Sequence, residues 1–356
     1  MMIIVGILLF ALLVVVHELG HFWVARRNGV EVEEFGVGFP PRLFSRKYGD
    51  TVYSFNLLPL GGFVKMKGES DSDKRPGAFG SKSFWPKAKI LLAGVGMNIV
   101  AAFLIIFVLA LTQLPTLIPG QYNISDNQTV VRDTVLVGSV VDGSPAQDSG
   151  LEPGDELLTV AGSDIESASA LVDRTEELAG ELVVVEVVRG GEDKSIEVQL
   201  EADNEEGSLG VAPVEVETSR YTWAAPLVAI GLTGQMVWLV LSAVGDIVSG
   251  LISGAGAEAA QDVAGPVGIV AILQGLSDVG LSYLFFLMAT ISVSLAVFNA
   301  LPIPALDGGR LALILGARLV GRDLSEKVES AVHGIGFIAL IGLLILITYV
   351  DIQRFF

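Results

Sequence analysis

Five stretches of this chain are almost free of polar residues, and the segments between them alternate apolar and polar positions on a much shorter period. Residues 1–16 carry no charge, and the apolar character resumes to Ala25 after one polar cluster. About 20 residues at helical rise cross a hydrocarbon core ~30 Å thick, so this stretch reads as span one. It has no basic n-region and no small-residue cleavage site, which argues against a cleaved signal peptide. Residues 90–114, 284–301 and 334–350 predict three more spans, the last ending before Asp351. Residues 224–252 are also long enough to span and hold Asp246 as their one charge. There, however, Gln235, Ser242, Asp246 and Ser249 recur at intervals of 7, 4 and 3. That spacing draws a polar stripe along a helix and predicts one lying in the membrane interface.

Two regions carry the shorter period. Residues 36–66 show brief alternating runs broken by Gly and Pro, which predicts strands and turns. Residues 125–203 do the same on a larger scale. Segments 135–141, 157–160, 182–189 and 195–200 are β-rich, 168–178 predicts a helix, and Gly190-Gly191 closes a hairpin.

Composition sharpens this picture. Of 356 residues, 51% are apolar, and the mean hydropathy is +0.62, which excludes an ordinary soluble domain. The formal net charge of −18 conflicts with that until it is located. Residues 1–120 hold 12 basic and 8 acidic side chains, 121–223 hold 5 and 23, and 224–356 hold 5 and 9. The acidity therefore belongs to the central β-rich segment. No basic surface remains for nucleic acid, and zero Cys excludes disulfides and thiolate metal sites. Arg26, Arg27, Lys82, Lys87, Lys89, Arg310, Arg318, Arg322 and Lys327 flank the spans and belong on the cytoplasmic side. With four spans, both termini and residues 121–223 then lie outside.

The chemistry concentrates in span one. His17-Glu18-Leu19-Gly20-His21 reads H-E-x-x-H, and on a helix both imidazoles share a face and reach one metal ion. Glu18 sits where it can take a proton from an attacking water. Ionisable groups inside a span are costly and usually functional. Arg26 lies nine residues past His17, about 13 Å along a helix, so the cluster sits in the membrane near its cytoplasmic face. Two His leave a catalytic zinc one protein ligand short. His333 is the third His of the chain and reads as a helix-end residue. Asp307 is the better candidate. It ends Asn299-Ala-Leu-Pro-Ile-Pro-Ala-Leu-Asp307-Gly-Gly309, where Pro302 and Pro304 break any helix. Irregular backbone at membrane depth must be buried in protein or line water.

At these residues the sequence resembles the site-2 protease family of intramembrane zinc metalloproteases. It favours the bacterial branch that includes the regulator-of-sigma-E protease. That family pairs H-E-x-x-H on its first core helix with L-D-G on a later one, here Leu306-Asp307-Gly308. The stretch Tyr53-Ser-Phe-Asn-Leu-Leu-Pro-Leu-Gly-Gly-Phe-Val-Lys-Met66, Ala93-Gly-Val-Gly-Met-Asn98 and Gly265-Pro-Val-Gly268 also resemble family segments. Gly143-Ser-Pro-Ala-Gln-Asp-Ser-Gly-Leu-Glu-Pro-Gly-Asp155 resembles the signature of circularly permuted bacterial PDZ domains, and its surroundings have room for one such domain.

The resemblance implies a polytopic α-helical membrane protein of about four spans, with a membrane-associated β-hairpin region and one inserted extracytoplasmic PDZ-like domain. The expected parts are a membrane part at 1–120, with hairpin and edge strand at 30–67 and span two at 88–114. A PDZ-like domain at 121–215 follows, then amphipathic linker helices at 216–283. A C-terminal membrane part at 284–356 completes the chain, with span four at 333–350. One zinc ion per chain would be held by His17, His21 and Asp307, with Glu18 as general base. An exposed edge strand can pair an extended substrate; Gly61 and Gly62 would let its backbone come close, and Asn299 would help hold it. Gly94 and Asn98 fit tight helix packing as well as catalysis. Expected substrates are single-span membrane proteins, anti-sigma factor-like proteins or remnant signal peptides, cut in the inner membrane. The PDZ-like domain would either capture peptide C-termini, against its own negative field, or act as a steric filter on ectodomains. The competing reading is a membrane-anchored PDZ receptor whose metal site is structural.

Overall fold

A computed structural model describes residues 2–202, 208–253, 268, 280–321 and 324–355. Gly265-Pro-Val, Arg322 and most of the expected linker between 254 and 279 lie outside the described residues. The chain divides into two compact units. One comprises Met1–Ile106, Ala229–Leu273 and Leu287–Phe356, and the other Phe107–Val228 and Gln274–Phe286.

The first unit is built on long apolar helices. Helix α1 is Met2–Arg27 and α2 is Phe84–Leu111. Helix α2 starts ahead of the expected residue 88, because Pro86 in its first turn costs no helical hydrogen bond. The helices pack closely: a Cβ on Gly20 would lie 2.5 Å from the Ala93 carbonyl oxygen. Their shared core gathers Phe22, Ala25, Ile90 and Leu91 with Phe35, Met66, Phe79 and Ile314.

Between them, β1 (Val32–Tyr48) and β2 (Thr51–Met66) form the expected antiparallel sheet. The register shows more than a hairpin. Phe35 faces both Tyr53 and Val64, and Gly36 faces both Ser54 and Phe63. The second strand therefore folds back over the first. This makes residues 62–66 an edge strand, paired among the described residues with β1 alone.

Later in the chain come α5 (Ala225–Ser253), α6 (Leu281–Ala300), α7 (Asp307–Leu319) and α8 (Glu326–Phe355). Between α6 and α7 the chain leaves the helix, as Pro302 and Pro304 require. Helix α8 begins before the expected residue 333, since Glu326 and Glu329 in its first turn suit the positive end of the helix dipole. Among the described residues five helices are long and apolar enough to cross a membrane: Val5–Arg27, Phe84–Leu111, Ala225–Gly250, Leu281–Ala300 and Glu326–Gln353. By length and composition α5 thus qualifies beside the four expected. Trp238 and Ile230 on it are 69% and 60% exposed, as a lipid-facing surface would be.

The second unit is a β-sheet with small helices. Its strands are β3 (Leu114–Pro115), β4 (Thr129–Val140), β5 (Glu156–Val160), β6 (Ser163–Asp164), β7 (Leu182–Arg189), β8 (Glu192–Gln199) and β9 (Val211–Arg220). They run in the order β3-β9-β4-β5-β7-β8, with β6 paired to β5. Helix α3 is Pro145–Ser149, capped by the Ser144 side chain, and α4 is Ala168–Glu177, capped by Ser167. Both caps satisfy a free amide of the first turn. Val135, Val185, Val187, Val198 and Leu171 fill the core. Strand β9 pairs the whole length of β4 and runs past the expected boundary at 215. Pro213 interrupts the short alternation that marks it in the sequence.

Candidate metal centre

His17 and His21 lie one turn apart on α1, as their spacing requires, and are 7% and 6% exposed. The chain brings Asp307 to them from the start of α7. The His17 Nε2 atom is 3.1 Å from Asp307 Oδ2, His21 Nε2 is 3.2 Å from it, and the two Nε2 atoms are 3.1 Å apart. His17, His21 and Asp307 form the cluster with metal-ligand geometry found among the described residues.

This triangle fits zinc better than it fits hydrogen bonds. His21 Nδ1–H donates to the Ile90 carbonyl at 2.7 Å, so a neutral His21 presents a lone pair at Nε2. One proton on His17 Nε2 can then serve one of its two short contacts, not both. A tetrahedral zinc with ligands at about 2.0–2.1 Å sets them about 3.3 Å apart, close to the three distances found. A further observation concerns Gly94. A Cβ there would come within 2.5 Å of His17 Cε1 and His21 Nε2, and within 2.6 Å of His17 Nε2. The absence of a side chain at 94 keeps the two nitrogens where they are.

Helix α2 supports the pair with one stripe. Ile90, Gly94 and Asn98 recur every four residues and so share a face. Asn98 is fully buried, and its amide lies 3.3 Å from His17 Nδ1. The Oδ1 atom of Asn98 has no partner among the described residues. Turning the amide over, which its shape permits, lets Oδ1 accept from His17 Nδ1–H. That bond would give His17 the same metal-facing tautomer as His21. The four-residue period of 90, 94 and 98 was the available signal for this role, and helix packing explained it equally well before the histidines were placed.

Asp307 is held by the loop before it. Gly308 and Gly309 let that loop fold back: a Cβ on Gly308 would meet the Ala300 carbonyl at 2.3 Å, and one on Gly309 the Ile303 carbonyl at 1.9 Å. Ala305 takes a φ of +79°, a conformation that costs an alanine energy. Its N–H donates to His333 Nδ1 at 3.0 Å. His333 therefore steadies the loop before Asp307 from α8, a role its place near the helix start does not reveal. Arg310 reaches the Glu69 carbonyl and donates to Glu329 at 3.1 Å. Glu329 in turn accepts from the Asp71 amide at 2.9 Å.

A cavity of 260 Å³ opens at the three candidate ligands, lined also by Glu18, Val64, Met66 and Asn299. Glu18 and the edge strand thus share it with the metal position. Asn299 lines it as well, and its side-chain amide donates to the Leu295 carbonyl at 3.0 Å. Gly61 and Gly62 stand elsewhere. A Cβ on Gly61 would lie 2.7 Å from Val14, and one on Gly62 would lie 3.2 Å from Val15. Here they let the strand pack against α1. A second cavity of 620 Å³ shares Glu69, Ala305, Leu306, Asp307 and Arg310 with the first and adds Glu326, Glu329, Ser330 and His333.

The model of peptidase family M50 matches residues 5–343. A relative from Clostridium perfringens bearing a zinc-metalloprotease name is 36% identical, over 99% of this chain and 98% of its own. The regulator of sigma-W protease of Bacillus subtilis is 27% identical, over 98% of both chains. The PDZ domain of an SdrC-like protein from Listeria monocytogenes aligns with 24% of this chain and 93% of its own at 27% identity, with a TM-score of 0.22.

Proposed function

The chain belongs to peptidase family M50 and is a multi-pass membrane zinc metalloprotease; from that premise we propose that it cuts single-span membrane proteins within the bilayer. In this reading His17, His21 and Asp307 hold one zinc ion per chain. The observation that carries it is the convergence of these three donors, at zinc-compatible spacing, in a cavity that also contains Glu18.

Zinc, when bound, supplies a Lewis acid that polarises the scissile carbonyl and makes water acidic enough to lose a proton near neutral pH. The Glu18 carboxylate accepts that proton and returns it to the leaving amine. The outer edge of residues 62–66, where the Val64 N–H is given to the Glu18 carboxylate, offers backbone donors and acceptors, so an unwound substrate segment that takes over that contact can add as a further strand. Pairing there replaces the helical hydrogen bonds the substrate loses, which matters where no water can. Val64 and Met66 border the same cavity as Glu18, so the added strand would pass in front of the general base. Gly61 and Gly62 keep that edge close to α1, and the Asn299 amide would hold the substrate backbone. The adjoining cavity, lined in part by Glu326, Glu329, Ser330 and His333, would offer a route for water.

The charge of the flanking segments favours an inner-membrane protein with the site near the cytoplasmic face and the acidic β-unit outside. That unit would act as a PDZ-like filter or peptide receptor. The B. subtilis relative is named for regulating sigma-W, which supports anti-sigma factor-like substrates here, beside remnant signal peptides. The competing receptor with a structural metal needs a closed coordination sphere. The cluster among the described residues offers three donors, which favours an open, catalytic site.

The test is a single-span substrate in detergent. Glu18→Gln is expected to retain zinc and to lose cleavage, and a zinc chelator is expected to stop the unmodified enzyme. Cleavage by the variant at the normal rate would refute the assignment.

A further inference from the structure

We infer that a basic pocket between the start of α2 and the end of α7 binds the phosphate headgroup of an anionic phospholipid. The cavity measures 320 Å³, and Asp71, Lys74, Phe84, Lys87, Ile314 and Arg318 line it. Three cations thus meet one carboxylate. Lys87 is 4% exposed. It donates to the Asp71 carboxylate and, at 3.0 Å, to the Gly80 carbonyl. Lys74 Nζ donates to the Asp71 carbonyl at 2.7 Å and the Gly80 carbonyl at 3.1 Å. Each ammonium has three donors and these contacts use two; the Lys87 ammonium also lies over the Phe79 ring, 5.7 Å from its centroid. Arg318 is exposed and forms no ion pair among the described residues. Its guanidinium lies 5.2 Å from the centroid of the Phe84 ring, which orients it and leaves its donors open.

Two further features point to an anion at the membrane surface. Phe84 is the first residue of a 28-residue helix, whose amino end carries partial positive charge. Next in the chain to the lining residues Phe84 and Arg318, Trp85, Leu319 and Val320 are 69%, 78% and 70% exposed. An exposed indole and two exposed aliphatic chains so close in the chain to these cations suit the boundary where headgroups give way to acyl chains. A free phosphate would have no use for those exposed apolar neighbours, so the ligand is taken to be a lipid. The choice of leaflet rests on the orientation proposed above, which puts these cations at the anionic cytoplasmic surface.

The experiment uses the full chain in neutral detergent micelles, which have no sidedness, so its outcome does not depend on the orientation or on the protease activity. Binding of phosphatidylglycerol and of phosphatidylcholine is measured by native mass spectrometry, for the unmodified protein and for Lys74→Gln/Arg318→Gln. The two substituted residues are exposed, and an unchanged melting temperature and zinc content verify the fold. Phosphatidylglycerol is expected to be preferred, and the double variant to lose about 30-fold in its affinity with phosphatidylcholine unaffected. No preference in the unmodified protein, or an equal preference in the variant, overturns the proposal. Displacement of the lipid by excess inorganic phosphate alone would assign the pocket to free phosphate and overturn it as well.

Discussion

Replacing Gly94 by alanine tests the metal centre through one methyl group. The added Cβ would stand 2.5 Å from His21 Nε2 and 2.6 Å from His17 Nε2, where ordinary contact begins at 3.4 Å. One or both imidazoles must retreat by about 0.9 Å, whereas functional metal sites hold ligand distances to within about 0.2 Å. Their other nitrogens are tied to Ile90 and set against Asn98, so retreat also strains those contacts. Loss of a supporting interaction alone costs 10–100-fold in metal affinity. Direct displacement of two ligands is expected to cost at least about 100-fold, or ~2.7 kcal/mol. The natural comparison is Gly96→Ala on the same helix, where a Cβ meets nothing within 4 Å. Helix propensity would make both substitutions stabilising by about 0.5–1 kcal/mol, so propensity and site geometry predict opposite signs at residue 94. The assay is a competition titration against a fluorescent zinc chelator in detergent, with helicity and melting followed in parallel. A Gly94→Ala protein that folds and binds zinc as tightly as the unmodified chain would refute the reasoning. So would an equal loss in Gly96→Ala.

Two other substitutions test neighbouring claims. Asn98→Ala removes the amide beside His17 Nδ1 and is expected to weaken zinc binding by roughly 10–100-fold while leaving the helices intact; zinc titration and circular dichroism separate the two effects. In the β-unit, Arg189 holds the nearly fully buried Asp155 at 2.6 Å through both Nε and Nη2, and that contact raises the already high guanidinium pKa. Arg189→Ala leaves the carboxylate buried without its partner and is expected to cost about 3 kcal/mol, read as a lower unfolding temperature of the β-unit in the full chain.

Much of the architecture was legible in the chain because its signals are local. Apolar runs longer than a bilayer crossing, and the period-two runs between them, need only neighbouring residues to be read. Strand β9 escaped because Pro213 interrupts a short alternation, Val214 to Glu217, that is too brief to stand out alone, and its pairing with β4 supplies the rest. The starts of α2 and α8 lie outside their apolar runs, because a helix continues through polar residues that hydropathy alone ignores. In α5 the local pattern suggested an interfacial helix, while its 29 residues form one helix of spanning length.

The candidate site divides the same way. His17, Glu18 and His21 announce themselves because helical geometry fixes i and i+4 on one face regardless of the rest of the protein. Asp307 lies 290 residues from His17, and no local rule joins them; the two prolines and the glycine pair marked the segment as unusual without saying what it faced. Only the tertiary structure shows that Gly94 and Asn98 back the histidines, and that His333 steadies Ala305 from another helix. It also sets Gly61 and Gly62 against α1 and makes residues 62–66 a sheet edge. The physical reason is the range of the forces involved. Backbone periodicity and hydrophobicity act within a few turns and are written along the chain. Close packing and hydrogen-bond direction act between groups that only the folded chain brings within a few ångströms.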